Sequence, residues 1–501
     1  MSGSTPAVPI PDVRPAELAQ RCRAALDAGA RMQFMYAWFP EGQAAAELRY
    51  VLHPGRGQPP QQWRCRAGQD SPPPSLAPVA PLLSWYERET TDLCGIAFEG
   101  QPLPEPLVLL PGAALERPAL VPGPHPPLCY APSPAQLPKL AGPTPEDVQL
   151  LPFGPVRADV LESTQLTFFY IGEAILHYHP QLFFKHRGME KRFEGCSPAL
   201  GTVLAERVSG VGSVAHALAY CQAVEAAARC EVPRRAAWLR VLLAELERLY
   251  NHLHYLGHLC HTTTLKVGEA QGKYLEELGK QINTRVSGSR LLRGLVVPGG
   301  LRREPALAGL GAGLAALESA FHRYAEQLAS TNSHLDRLIT TGVLGRQLAF
   351  DQGATGPVER ASGIDRDSRR DQPYGAYGEL PLCIAVRDGC DAHARQQVRI
   401  EEITHSIGLI RAVLEGLPEG AARAGCRPPP ASEGLGWAET PRGTAYYAVH
   451  LDAQGRLARV KIKSPSFSNW RVFPYTVHDT NMMDYAINEA SFGLTVAGCA
   501  R

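Results

Sequence analysis

Residues 186–220 read HRGMEKRFEGCSPALGTVLAERVSGVGSVAHALAY, and the rest of the chain is arranged around them. The stretch opens on a charged turn, His186-Arg187-Gly188-Met189-Glu190-Lys191. It closes on Glu206-Arg207, a small-residue turn Ser209-Gly210-Val211-Gly212, and a helix entered at Ser213. The chemistry is expected at this turn. No residue in it offers the thiolate that a soft metal needs.

Downstream, apolar spacing predicts helices. One runs from Ser213 to Arg229. A long one starts at Pro233, well suited to a first turn, and reaches about Leu259. It carries Trp238, Leu242, Leu246, Leu249 and Leu253 on one face. Others are expected over about 268–292, 305–338 and 392–414, giving an antiparallel bundle. Alternating strands follow at Thr444–Leu451 and Ala458–Lys463.

Upstream, Ala16–Ala30 reads as a short amphipathic helix, and Met32–Phe39 with Glu47–His53 as paired strands. Trp85-Tyr86-Glu87-Arg88-Glu89, followed by Asp92-Leu93-Cys94-Gly95-Ile96-Ala97-Phe98, reads as a helix-to-strand corner. From Pro111 to Pro155 proline is dense. It removes backbone donors and fixes φ, so a stiff extended linker is expected. Strands are then expected near Arg157–Val160 and at Leu166–Ile171. The fold class is therefore α+β, in three parts. Residues 1–110 form a small αβ domain, 111–152 a proline-rich linker, and 153–501 a large helical-bundle domain with flanking β-sheets.

Net charge is +1 over 501 residues, of which 45% are hydrophobic and 20% charged. This is globular composition without a nucleic-acid footprint. No run approaches the ~18 apolar residues of a membrane span. The start, MSGSTPAVPIPDV, has neither a basic nor an apolar signal region. A cytoplasmic chain is expected, peripheral on the inner face of the cell membrane and held there by partners. The twelve cysteines contain no C-x-x-C pair, so no zinc or iron–sulfur pattern is present.

The 186–220 stretch resembles the large subunit of membrane-bound, energy-converting [NiFe] hydrogenases and its relative, the D-type subunit of NADH-quinone oxidoreductase (complex I). In the hydrogenases Glu-Arg precedes Cys-Gly-x-Cys, half of the nickel ligands; those cysteines correspond here to Ser209 and Gly212. The other half, a terminal Asp-Pro-Cys-x-x-Cys, corresponds to Thr495 and Gly498, with Cys499 one residue out of register. The family's P-R-G arginine, which lies over the metal, is Arg442. Val297-Pro298-Gly299-Gly300, Gly353–Pro357 and Ala361–Arg370 also follow the family pattern. Trp85–Phe98 resembles the signature of the C-type subunit of complex I, with Cys94 where that family usually has Phe and Gln101-Pro102 where it has His-Pro. In complex I the first hairpin of the D-type subunit carries a histidine that approaches the quinone headgroup. Val156–Glu162 has none, and the headgroup tyrosine corresponds to Leu204.

The resemblance implies an electron-transfer subunit that couples redox chemistry to ion translocation without a [NiFe] centre. Its partners would be an iron–sulfur small subunit, like the B-type subunit of complex I, together with antiporter-like and H-type membrane subunits. The cluster would be the partner's, and quinone stays open as an acceptor. A redox-inactive structural subunit is the alternative. NADH-quinone oxidoreductase or [NiFe] hydrogenase activity proper is disfavoured. No dinucleotide-binding βαβ unit is evident, so nicotinamide would belong to the whole assembly.

The candidate chamber residues are His186, Arg187, Glu190, Glu206, Arg207 and Arg442. A carboxylate beside arginine stays ionised, so Glu206 could relay protons only if its pair with Arg207 loosens. His216, on the helix after the turn, reads either as a core residue or as a functional one. His254, His258 and His261 share a helical face at a spacing that can bind zinc, though without the acidic base of H-E-x-x-H.

Overall fold

The computed structural model describes residues 10–42, 45–66, 72–110, 113–124, 129–130, 147–156, 162–478 and 480–501. It is an α+β fold. Helix Pro15–Asp27 precedes an antiparallel sheet of Arg31–Trp38, Glu47–His53 and Gln61–Arg66, the middle strand pairing with both others. Helix Ser84–Cys94 carries Glu87 and Glu89 into the interior and ends on Gly95 at φ 72°, a left-handed cap that glycine adopts without strain. The strand expected after it is absent: residues 95–98 are irregular, and Glu99 makes only an isolated bridge to Pro74.

The proline-rich stretch ends differently from the expectation. Gln149–Phe153 is a strand, antiparallel to Gln165–Ile171, which in turn pairs with Ala174–Gln181. Because it is an edge strand, Pro152 can sit in it without costing a ladder bond. The strand expected near Arg157–Val160 lies outside the described residues.

The bundle is built from helices Ser213–Ala228, Arg234–Thr262, Lys266–Ser287, Leu310–Ser330 and Ala392–Gly416. The single helix expected over 305–338 starts only at Leu310. It breaks at Thr331, whose extended ψ of 93° separates it from Asn332–Leu338. The Arg234–Thr262 helix buries its leucine face as expected, but also buries Glu245, Glu247, Arg248 and His252. Glu402 of the Ala392–Gly416 helix accepts from Arg248 (3.3 Å), His252 (2.7 Å) and Arg360 (2.5 Å). These bonds pair Arg248 and His252, and Glu245 pairs with Arg248 and Arg369, while Glu247 accepts from backbone N–H groups.

A third sheet of Glu433–Thr440, Gly443–Leu451 and Leu457–Lys463 packs on the Ser213–Ala228 helix. Its first strand was not foreseen. The apolar core falls into two large clusters. One fills the bundle. The other joins the N-terminal sheet to Leu166–Phe183 and to Phe467–Ala500, so residues on both sides of the proline-rich stretch share one interior.

Candidate functional site

Two turns face each other. Ser209 to Gly212 closes on itself through Gly212 N–H to Ser209 O (3.1 Å), and its end begins the next helix through His216 N–H to Gly212 O (3.1 Å). Across from it, Thr495 Oγ1 lies 3.1 Å from Ser466 Oγ. A Cβ built on Gly498 would stand 2.5 Å from Thr495 Oγ1, and one on Gly212 would stand 3.8 Å from Ser209 Cβ. Each pair of positions is therefore as close as two ligands of one metal would be. The side chains present are two hydroxyls and two glycines, a donor set that does not fit a nickel–iron centre.

What joins the turns is guanidinium. Arg187 Nη2 donates to Val208 O (2.6 Å) in the first and to Ala497 O (3.0 Å) in the second. Arg442 sits in the two-residue hairpin turn between Thr440 and Gly443. Its Nε donates to Gly493 O (2.8 Å) and its Nη1 to Asn251 Oδ1 (2.7 Å), while Asn251 Nδ2 donates to Val211 O (2.8 Å). Burial brings the Arg442 guanidinium down to about 10, still charged at neutral pH. Glu162 anchors the second turn by accepting from Val496 N–H (2.5 Å) and Ala497 N–H (2.9 Å). His186 Nδ1 is 2.6 Å from Ala500 O. Burial lowers its pKa, which favours a neutral ring donating Nδ1–H.

Glu190 is the buried carboxylate of the charged turn. Its carboxylate is 2.8 Å from Arg459, 3.2 Å from Lys461 and 3.3 Å from Arg501, all buried. Glu89 shares Lys461 and Arg501. Glu206 keeps its expected pair with Arg207, at 3.5 Å. Burial raises its pKa despite the Gly294 N–H it accepts at 2.6 Å. Arg207, in the turn after the helix Pro198–Ala205, is half exposed and also donates to Val203 O. His216 is a core residue: it is buried, 2.9 Å from Tyr447 Oη, and pushed down to about 4 by burial. Leu204 is packed on the bundle core. Cys499 is buried in the shared cluster, where desolvation raises its thiol. His254, His258 and His261 stack in file on the exposed face, the outer two against Glu276 and Glu269. Among the described residues no group of three His, Cys, Asp or Glu side chains is placed to hold a metal ion.

The sequence reading missed Asn251, Glu162 and Glu247. The last is fully buried and accepts from Val214 N–H (2.6 Å) and Ala215 N–H (3.0 Å), at the start of the helix that leaves the turn. Its charged neighbours in a leucine-rich helix were the available signal. Burial outweighs those two donors and pushes its carboxyl up to about 7 from 4.5. A raised carboxyl stabilises the fold fully below its unfolded pKa, and that contribution is lost as pH rises through the folded one. Between pH 5 and 8 the wild type should therefore lose about 2–3 kcal/mol that Glu247→Gln does not. Urea titrations of both at several pH values would show it; parallel pH profiles would refute it.

The fold and the facing turns define a protein of the hydrogenase large-subunit and complex I 49-kDa class. Family models agree along the chain. "Respiratory-chain NADH dehydrogenase, 30 Kd subunit" matches residues 12–120, "Nickel-dependent hydrogenase" 187–286, and "Respiratory-chain NADH dehydrogenase, 49 Kd subunit" 276–428 and 422–501. Formate hydrogenlyase subunit 5 of Escherichia coli (strain K12) is 32% identical over 82% of this chain and 74% of its own. The C/D subunit of NADH-quinone oxidoreductase from Rhodopseudomonas palustris (strain BisB5) is 28% identical over 86% and 82%. A chain of the membrane-bound sulfane sulfur reductase (MBS), an archaeal respiratory membrane complex, superposes with TM-score 0.67 at 24% identity. That match covers 72% of this chain and all of the other. The chain belongs to the family of fused C/D-like subunits of complex I and energy-converting hydrogenases. Among the described residues no helix is long and apolar enough to cross a membrane.

Proposed function

We propose that this chain is the electron-transfer subunit of a membrane-associated assembly of the complex I and hydrogenase-related kind, working without a [NiFe] centre. The observation that carries the reading is the pair of facing turns, with Ser209, Gly212, Thr495 and Gly498 at the ligand positions and Arg187 and Arg442 spanning them. An iron–sulfur small subunit would dock over the turns, bringing its cluster within tunnelling reach. Glu206, with its raised pKa and loose arginine, is the proposed proton-handling group. Arg187, Glu190, Arg442 and His186 hold the two turns and the last residues in place, and Arg207 lies at the chamber's edge. The membrane subunits would meet the 149–181 sheet, where Leu150, Leu151, Ile171 and Leu176 are exposed. Exposed apolar clusters of this kind mark interaction faces.

A redox-inactive structural role is the second reading, favoured by the same guanidiniums, which close the space between the turns. Purification of the intact complex through a tag on this chain, with metal analysis and mass spectrometry, tests the assembly. Iron without nickel, with an iron–sulfur subunit and antiporter-like subunits, is the expected result. Nickel near one per chain, or a chain that purifies alone, would overturn it. Acceptor-dependent turnover in the complex separates the first reading from the second.

A further inference from the structure

A second cavity lies away from the facing turns, between the N-terminal sheet and the tail of the chain. Its empty volume is about 590 Å³, counting the mouth open to solvent. Both signs of charge line it, but they are not equally engaged. Glu359 is held by Arg31. Glu439 is held by Arg360 (3.2 Å) and by the hydroxyls of Ser368 (2.8 Å) and Thr444 (2.7 Å). Asp367 is held by Arg369 (2.8 Å), and Asp371 by Arg370 (2.8 Å).

The cations are left over. Lys463 is 3% exposed; its ammonium donates to Thr444 O (3.2 Å) and lies 5.3 Å from the centre of the Tyr446 ring. Arg471, 7% exposed, donates to Gln352 O (2.8 Å). Among the described residues neither has a carboxylate within ion-pair distance. Burial brings Lys463 down to about 7 and Arg471 only to about 10. Arg471 is therefore a buried charge without a counter-ion, which is costly, and a bound anion would favour the charged form of Lys463. Two further polar atoms on the lining, His53 Nε2 and Gln352 Oε1, are buried without a hydrogen-bond partner. Burial holds the His53 ring at about 4. Its one N–H is directed to the Asp371 backbone, so Nε2 faces the cavity as an acceptor, and the Gln352 amide can turn either end to a ligand.

The geometry points to a binding site for a small oxyanion of the phosphate class in this cavity, held by Lys463 and Arg471, with His53 Nε2 placed to accept from a protonated oxygen of it. The anion would supply the missing counter-charge. Lys463 is the last residue of the sheet strand Leu457–Lys463, and Arg471 lies on the following helix, Pro465–Val472. His53 ends a strand of the N-terminal sheet. An anion bridging them would clamp the N-terminal sheet to the tail, independently of any redox role for the facing turns.

Calorimetry and thermal melts of the full-length chain test this with inorganic phosphate, sulfate and glycerol phosphate, against chloride at matched ionic strength. A saturable heat and a Tm that rises with phosphate but not chloride are expected. Lys463→Met should weaken the affinity roughly tenfold to a hundredfold. Should that variant not fold, Arg471→Gln carries the same comparison. Tighter binding of the ester than of phosphate would make the natural ligand a phosphorylated organic molecule; the reverse would make it the free ion. No saturable heat with any of the three, or unchanged affinity in the folded variants, would overturn the site.

Discussion

Glu190→Gln is expected to destabilise the chain by about 3–5 kcal/mol. Arg459, Lys461 and Arg501 are buried around two carboxylates, Glu190 and Glu89. Glutamine keeps the shape and removes the charge, leaving three buried cations facing one anion. Arg459 then has no carboxylate among the described residues within ion-pair distance. Burial alone would raise the Glu190 carboxyl, but Lys461, Arg459 and Arg501 outweigh it and hold it well below the usual range. Its contribution is therefore present above the ordinary carboxylate pKa and lost as pH falls through the folded value. The variant should lose stability at pH 7, and its deficit should shrink only as pH falls below the usual carboxylate range toward the folded value. Glu17→Gln, at an exposed pair with Arg14, should leave the transition unmoved. Urea midpoints by circular dichroism at pH 7 make the comparison, and in a series to lower pH the gap between the two proteins should begin to narrow only below the ordinary carboxyl value of 4.5. Equal midpoints for wild type and E190Q at pH 7 would show that Glu190 does not hold this end of the chain.

The helices were legible because their apolar spacing survives in sequence, and the first turn was legible because it is local. The joins between the turns were not. Arg187 reaches Ala497, Glu162 reaches Val496, and Arg442 reaches Asn251. No local pattern encodes contacts across such separations. Resemblance placed the four ligand positions, but it said nothing of what occupies the space between them. Glu206 was legible only in part for a related reason: adjacency to Arg207 in sequence gave the pair, at 3.5 Å, but not the distant Gly294 N–H that the buried carboxylate also accepts. The edge strand Gln149–Phe153 was hidden by Pro152, read as a breaker where the edge tolerates it.

The strand Glu433–Thr440 was missed for a reason that predicts its own test. EGLGWAET lacks β-branched alternation, and its two glycines read as loop. In the structure they let a helix lie on the strand. A Cβ on Gly434 would meet Ala223 O at 2.0 Å, and one on Gly436 would meet Ala219 O at 2.2 Å and Ala223 N at 2.5 Å. These are backbone atoms, which cannot rotate away, so Gly436→Ala must lift the Ser213–Ala228 helix. Overpacking typically costs 1–3 kcal/mol, and about 3 or more is expected where backbone has to move. Gly408→Ala makes the same change on an exposed helical face with nothing within 4 Å. There the gain in helix propensity should stabilise by roughly 0.5–1 kcal/mol. The damage in G436A should also be local to the candidate site. Gly436 pairs in register with Tyr447, and Tyr447 Oη holds His216 Nδ1 on the lifted helix. His216, kept near 4 by burial, should titrate closer to its ordinary value in the variant, as read by NMR of labelled histidine. Equal stabilities for the two alanine variants, with the His216 titration unmoved, would mean that the helix does not rest on these glycines.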